Sequence, residues 1–286
     1  MEFRRASLQT CAEATGVVVV IDVIRAFTTA AYAFAAGAED IVLVGTVEEA
    51  LALRERYPGA LVMGEVRGLP PEGFDFGNSP FALIGVDLTG RRLIQRTSTG
   101  TQGVVRSERA EHLLTGSLCC AQATVDFIDK LSPEVVTFVA AGLGPDGRGE
   151  EDVACADYLE ALLAGEEPDP EAYVERVKMS RTSQLIFADP DKPQFLWQDI
   201  ECCVDVDRFD FAMLVEREDG LLMMKPVVVR SADLIESKAG NRKGRVLDIG
   251  CGYGFFLHEM KSRGWQVEGV DPWNDTGHGA SLALDA

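Results

Sequence analysis

Acids, hydroxyls and an arginine stand at the points where apolar runs of this chain stop. Asp22 follows Val17-Val-Val-Val-Ile21, Arg25 lies three residues on, and Thr28 and Thr29 come next. Glu65 follows Leu61 to Met63 after a glycine, and Thr97-Ser-Thr-Gly-Thr101 follows Arg92 to Gln95. In open α/β sheets the carboxyl ends of strands form the ligand crevice, so these groups are expected to converge. Carboxylates, hydroxyls and a guanidinium in one crevice suit a divalent metal and an oxyanion. Each residue alone has a plainer role: Asp22 as a turn or helix cap, the threonines as N-caps, Arg25 as a bridge partner of Asp22. Their coincidence at several strand ends favours a site, because an aspartate buried beside an arginine is costly unless well paired.

Two loops add candidates. Gly73-Phe-Asp-Phe-Gly-Asn-Ser-Pro80 lies in a glycine- and proline-rich stretch from Val66 to Pro80, too long for an ordinary connection. Phe74 and Phe76 read as plugs into the core, whereas Asn78 and Ser79 are candidates for ligand contact. Thr97, Thr99, Gly100 and Thr101 combine hydroxyls, a glycine and a helix start, which is the physics of a phosphate cradle and, more commonly, of a simple cap. The run has no Gly-Lys-Ser/Thr and is not a Walker A loop. Glu150, Glu151 and Asp152 open a helix after the turn Gly142 to Gly149; such acids stabilise a helix start without function, and one of them can assist a metal if the turn lies at the crevice. Arg67 and Arg96 are candidates for a second anionic group, with surface roles equally open.

The elements that must position these residues read β-α-β-α-β from the start: Val17 to Ile21, a helix from about Thr28 to Ala36 stopped by Gly37, Ile41 to Val44, a helix opened by Thr46-Val-Glu-Glu49, and Leu61 to Met63. Arg92 to Gln95 reads as a strand, Thr101 to Leu114 as a helix, Val135 to Ala140 as a buried strand and Glu151 to Leu163 as a helix. Asp219-Gly220 between two apolar runs is a hairpin signal, so the sheet is expected to be mixed. The fold class is α/β, layered α/β/α with a mostly parallel or mixed sheet. After a polar linker, Arg245-Val-Leu-Asp-Ile249, Gly250-Cys-Gly-Tyr-Gly254, a helix to Arg263 and a strand ending at Asp271 form a further βαβ segment. Domains are therefore expected at 1–232 and 233–286, the second incomplete, since one βαβ unit cannot bury a core by itself.

Composition excludes several classes. With 47% apolar and 26% charged residues, the chain can bury a full core and is not a disordered polymer. No window approaches the roughly 18 apolar residues of a membrane span, and the polar N-terminus lacks a signal-peptide core, so a cytoplasmic protein is expected. The net charge is −19, of which −17 belongs to residues 1–232, and it opposes nucleic acid and anionic membrane as partners. Seven cysteines without a Cys-x-x-Cys read as reduced core thiols, and three scattered histidines make a zinc enzyme improbable. A homo-oligomer is compatible with everything above.

In their order along the chain, Val20-Ile-Asp-Val-Ile-Arg-Ala-Phe-Thr-Thr29, Gly64-Glu65, Gly73 to Pro80, Thr97 to Thr101 and Glu151-Asp152 resemble the 2-phosphosulfolactate phosphatase family over about residues 15–230. The resemblance implies a Mg²⁺-dependent phosphomonoester hydrolase of α/β type, of the kind assigned to coenzyme M biosynthesis, acting on a small phosphorylated anion. The family commonly carries Asn at the position of Thr99. On this reading Asp22 and Glu65, with Asp152, hold Mg²⁺; Arg25 neutralises phosphoryl charge; and Thr28, Thr29, Asn78, Ser79 and Thr97 to Thr101 position the substrate. Val246-Leu-Asp-Ile-Gly-Cys-Gly-Tyr-Gly254 with Asp271 is similar to the first motif of S-adenosylmethionine-dependent methyltransferases. Two alternatives stand beside the phosphatase: a non-catalytic small-anion binding protein and a bifunctional protein that also binds S-adenosylmethionine.

Overall fold

The β-branched run Val17–Ile21 is buried along its whole length and forms the second strand of a nine-stranded sheet. A computed structural model describes residues 1–144, 149–187, 196–228, 235–236, 239, 243–249, 255–271 and 280–282. The chain divides into two units, Met1–Lys225 and Pro226–Ala286. The large sheet comprises β1 (Glu2–Ser7), β2 (Val17–Ile21), β3 (Asp40–Leu43), β4 (Leu61–Gly64), β5 (Arg92–Arg96), β6 (His112–Gly116), β7 (Val135–Ala140), β8 (Phe211–Glu218) and β9 (Leu221–Val228). Their spatial order is β1-β7-β2-β6-β8-β9-β3-β5-β4.

Two parallel runs make up this sheet. β1, β7, β2 and β6 form one and β3, β5 and β4 the other. The hairpin β8–β9 joins them, β8 antiparallel to β6 and β9 antiparallel to β3. At its tip Asp219 and Gly220 both have positive φ, 49° and 80°, the backbone that a two-residue hairpin of native twist demands. In a flat sheet the five steps from β2 to β5, at about 4.8 Å each, would hold these strands about 24 Å apart. Thr99, just beyond β5, nevertheless hydrogen-bonds Asp22, just beyond β2, at 2.7 Å. The sheet therefore curls and brings the carboxyl ends of its two runs together.

Helices flank it: α1 (Ala26–Ala35), α2 (Val47–Arg56), α3 (Gly100–Arg106), α4 (Ala121–Leu131), α5 (Glu150–Leu163), α6 (Pro170–Met179), α7 (Arg181–Phe187) and α8 (Gln198–Val204). Val17, Val19 and Ile21 point into one core cluster with residues of α4, α5, α6 and α8, whereas Val42, Val62 and Ile94 pack with α2. α3 touches β2, β3 and α1 and so lies where the two runs approach. The helix α1 begins two residues earlier than its alanine content suggested, because Asp22 Oδ1 accepts the Ala26 N–H at 3.0 Å and starts the turn. At α2 the expected capping pair is present: Thr46 Oγ1 accepts from Glu49 N–H, and Glu49 Oε2 accepts from Gly45 N–H, each at 3.1 Å.

The single helix expected over Thr101 to Leu114 is instead α3 followed by β6. Ser107 closes α3, its Oγ donating to Gly103 O at 2.8 Å. Leu113, Leu114 and Thr115 then lie buried between β2 and β8, a short apolar run whose length alone could not separate strand from helix. In the second unit β10 (Arg245–Ile249) pairs in parallel with β11 (Gln266–Asp271), which pairs antiparallel with β12 (Ala280–Leu282). Helix α9 (Phe255–Ser262) contributes Leu257 and Met260 to a small core with Val246 and Trp265. The glycine-rich turn at 250–254 and the side chain of Asp271 lie outside the described residues, as do residues 145–148 of the earlier glycine turn.

Candidate active site

Asp22 is the pivot of the crevice. It ends β2 almost fully buried, its Oδ1 holding the start of α1 and its Oδ2 accepting Thr99 Oγ1–H. Gly100 packs directly against it. A Cβ at Gly100 would stand 2.9 Å from Asp22 Oδ2 and 2.8 Å from Ala26 Cβ, so a glycine is what lets α3 come this close. Glu65, beyond β4, gathers the neighbouring loops: Oε1 accepts Ser98 N–H at 2.5 Å, and Oε2 accepts Gly68 N–H at 2.5 Å and Ser98 Oγ–H at 3.0 Å. At the start of α5, Asp152 accepts Val23 N–H on Oδ1 at 2.8 Å and Gly142 N–H on Oδ2 at 2.7 Å. Its neighbour Glu151 is buried, and its Oε2 has no hydrogen-bond partner among the described residues.

These carboxylates feel one another. Burial raises the Asp22 pKa, the charge of Glu65 adds to the rise, and the bonds from Thr99, Ala26 and Gly100 oppose it. Asp152 is pushed well above the carboxylate range by burial and by the charges of Glu151 and Asp22. Burial also lifts Glu151, again with a contribution from Asp22. Ionisation of this cluster is therefore costly, because burial and neighbouring charge outweigh the hydrogen bonds that the carboxylates accept. Among the described residues no three His, Cys, Asp or Glu side chains stand as a ready metal-ligand set, so Asp22, Glu65 and Asp152 share a neighbourhood without forming a closed triad.

Arg25 does not bridge to Asp22. Its Nη1 donates to Asp199 Oδ2 at 2.6 Å, both side chains being buried, and the Ile24–Arg25 peptide bond is cis. Asp199 Oδ1 accepts Ser79 Oγ–H at 2.6 Å and Phe81 N–H at 3.2 Å, so Ser79 serves the protein itself. Of the remaining candidates, Thr28 donates to Val23 O and shares a hydrogen bond with Ser117. Thr97 and Thr101 cap each other: Thr97 Oγ1 accepts Thr101 N–H at 3.0 Å and Thr101 Oγ1 accepts Thr97 N–H at 2.9 Å. The run is therefore a cap whose Ser98 and Thr99 hydroxyls are turned onto Glu65 and Asp22. Thr29 Oγ1 and Asn78 Oδ1 are buried without a partner among the described residues. Arg96 is engaged by Glu65 O at 2.8 Å and Gly45 O at 3.4 Å, while Arg67 is exposed. Phe74 packs against the β3–β5–β4 core, as expected of a plug.

Glu151 stood among the helix-start acids, but nothing in the sequence marked its unpartnered oxygen. Asp199 escaped sequence reasoning altogether, since Asp199 and Glu201 in the first turn of a short helix look like ordinary dipole partners.

The chain matches the family model described as 2-phosphosulpholactate phosphatase over residues 3–218 and the model described as methyltransferase domain over residues 228–281. A protein of Bacillus subtilis (strain 168) named probable 2-phosphosulfolactate phosphatase is 35% identical over 214 residues, 74% of this chain and 92% of that relative. Relatives with the same name from Carboxydothermus hydrogenoformans and Deinococcus radiodurans are each 40% identical, over 55% and 52% of this chain and 66% and 62% of their own lengths. By the extent of the family match and the coverage of the first of these relatives, this chain belongs to the 2-phosphosulpholactate phosphatase family of phosphoric monoester hydrolases.

Proposed function

We infer that the chain releases phosphate from 2-phosphosulfolactate or a closely similar phosphorylated 2-hydroxy acid, with Mg²⁺ as its cofactor. The observation that carries this reading is the buried acid cluster of Asp22, Glu65, Glu151 and Asp152, with the unpartnered Glu151 Oε2 among it. Buried carboxylates that raise one another's pKa are a donor set of the right chemistry for a hard divalent cation. The lack of a closed triad is compatible with Mg²⁺, which commonly takes one or two carboxylates and completes its shell with water and substrate phosphate. Asp22 and Glu151 would hold the ion most directly, and Glu65 and Asp152 would add charge beside them. When bound, Mg²⁺ supplies neutralisation of phosphoryl oxygens and a more acidic water.

The chain's own residues account for the rest. Arg25 meets the negative charge that grows on the phosphoryl oxygens, a task made sharper by the net charge of −19 around it. Thr99 and Ala26 fix the Asp22 carboxylate through hydrogen bonds to its two oxygens, which keeps it oriented toward the crevice. Thr29 Oγ1 and Asn78 Oδ1, buried and without a partner among the described residues, are two polar atoms with capacity left for a ligand. Cysteine attack finds no support: burial pushes the thiols of Cys120, Cys155 and Cys203 well above their ordinary range. Water is therefore the nucleophile in this reading. A cytoplasmic setting goes with it, since the described cysteines are free thiols in the core; among the described residues no helix is long and apolar enough to cross a membrane.

A panel of phosphorylated 2-hydroxy acids bearing a sulfonate, a carboxylate or neither tests the substrate class, with turnover expected to favour the sulfonate. Binding of panel members without phosphate release would instead support a non-catalytic anion-binding protein. The match to a methyltransferase domain supports a second reading, in which the C-terminal unit binds S-adenosylmethionine. Calorimetry with that cofactor decides it, and absence of binding heat removes the reading.

A further inference from the structure

A carboxylate from far along the chain holds the guanidinium of Arg25. Asp199 is fully buried in the first turn of α8 and takes Arg25 Nη1 on Oδ2, while its Oδ1 takes Ser79 Oγ–H and Phe81 N–H. One side chain thereby ties together the β2–α1 turn that carries Asp22 and Arg25, the end of the glycine- and proline-rich loop, and α8. Arginine has several rotatable bonds, and a charge-assisted bond of 2.6 Å restricts it to a narrow set of them. Buried ion pairs add little stability over apolar side chains of similar volume. An ion pair with side chains 5% and 0% exposed, three residues from Asp22, is thus better explained by what it does to the arginine.

We propose that Asp199 is the positioning residue of Arg25, fixing the guanidinium for the phosphoryl group and coupling it through Ser79 to the end of the glycine- and proline-rich loop. The proposal rests on the phosphatase reading of the crevice. Asp199 acts through Arg25 and touches neither substrate nor metal. Asp199 also holds Ser79 and Phe81, so its removal can lower stability in either background. Its effect on phosphate turnover and binding, by contrast, is felt only while Arg25 is present, whereas a purely structural role would lower them in both.

A double-mutant cycle in the full-length chain separates the two. Asp199→Asn, Arg25→Gln and the double variant are compared by kcat/KM for phosphate release with Mg²⁺, and by the Kd of inorganic phosphate in calorimetry. Each single change is expected to lower kcat/KM by about 100-fold, with the double variant within about twofold of Arg25→Gln alone. Multiplied losses, on the order of 10⁴-fold in the double variant, overturn the proposal. Should Asp199→Asn fail to fold, Ser79→Ala replaces it in the same cycle, with a loss of about fivefold expected when Arg25 is present and none in the Arg25→Gln background; equal losses in both backgrounds overturn the proposal. Turnover in the wild type with multiplied losses defeats this inference alone. If the wild type releases no phosphate from any ester, the functional reading fails and the phosphate Kd values decide the cycle by the same criterion. A wild type that neither turns over nor binds phosphate overturns both.

Discussion

Replacing Gly100 by alanine tests whether the close approach of α3 to Asp22 matters for catalysis. Gly100 is the first residue of α3 and has no positive φ, so alanine meets no backbone strain there and gains less than the roughly 1 kcal/mol of helix propensity that applies in a helix interior. Against that, the new methyl would lie 2.8 Å from Ala26 Cβ and 2.9 Å from Asp22 Oδ2. Carbon atoms in contact prefer about 3.5–4.0 Å, so α3 must retreat by about 0.7 Å or more, or the carboxylate must turn away. Either movement stretches the 2.7 Å Thr99–Asp22 hydrogen bond beyond good geometry. Overpacking of this kind costs about 1–3 kcal/mol, which leaves a net loss of roughly 0–3 kcal/mol and a fall in Tm of at most about 12 °C. A displacement near 1 Å at reacting groups costs about 100-fold in rate. The assay is phosphate release with saturating Mg²⁺, beside a thermal melt. Gly103→Ala is the control: its Cβ would meet Val20 Cγ1 at 2.6 Å, one turn away from Asp22, and should cost stability with a much smaller loss of turnover. Activity of Gly100→Ala within threefold of wild type, in a folded protein, would refute the reasoning.

Further outcomes follow from the same geometry. Burial and mutual repulsion raise the pKa values of Asp22, Glu151 and Asp152 above those of the unfolded chain, so the folded state binds more protons between about pH 4 and the raised values. The metal-free protein is thus expected to melt higher at pH 5.5 than at pH 7.5, and Mg²⁺ to stabilise it more at pH 7.5; a metal-free Tm that rises with pH over this window contradicts the charge assignment. Deleting residues 233–286 should leave kcat/KM within about twofold, because every side chain of the crevice lies in Met1–Lys225 and β9 stays intact. Failure of the shortened chain to fold would show that the second unit completes the first.

The strand-end acids were legible because an unbroken β-branched run followed by Asp22, or a short apolar run followed by Gly64-Glu65, has few meanings in an α/β chain. The hydroxyls were not. Thr97 and Thr101 have the composition of an anion cradle, and only the reciprocal bonds between them show a helix cap. Asp199 was invisible for a different reason: its partner Arg25 is 174 positions away, and no local pattern marks a contact of that range. Strand β1 stayed hidden because it lies at the sheet edge, where charged residues such as Arg4 and Glu2 mask the alternation of a strand and protect the edge from pairing. The strand β6 was absorbed into a helix because its leucines continue a helical spacing that ends, in space, at Ser107.

The most direct measurement is phosphate release from 2-phosphosulfolactate by the full-length protein, with Mg²⁺ and with a chelator, for the wild type and for Asp22→Asn. Asparagine can still accept the Ala26 N–H, so folding should be preserved while the charge in the acid cluster is lost. The account predicts turnover by the wild type only with Mg²⁺, and a loss of at least about 1,000-fold in the variant at an unchanged or higher Tm. Full activity in chelator, or an Asp22→Asn protein that works as well as wild type, would contradict it.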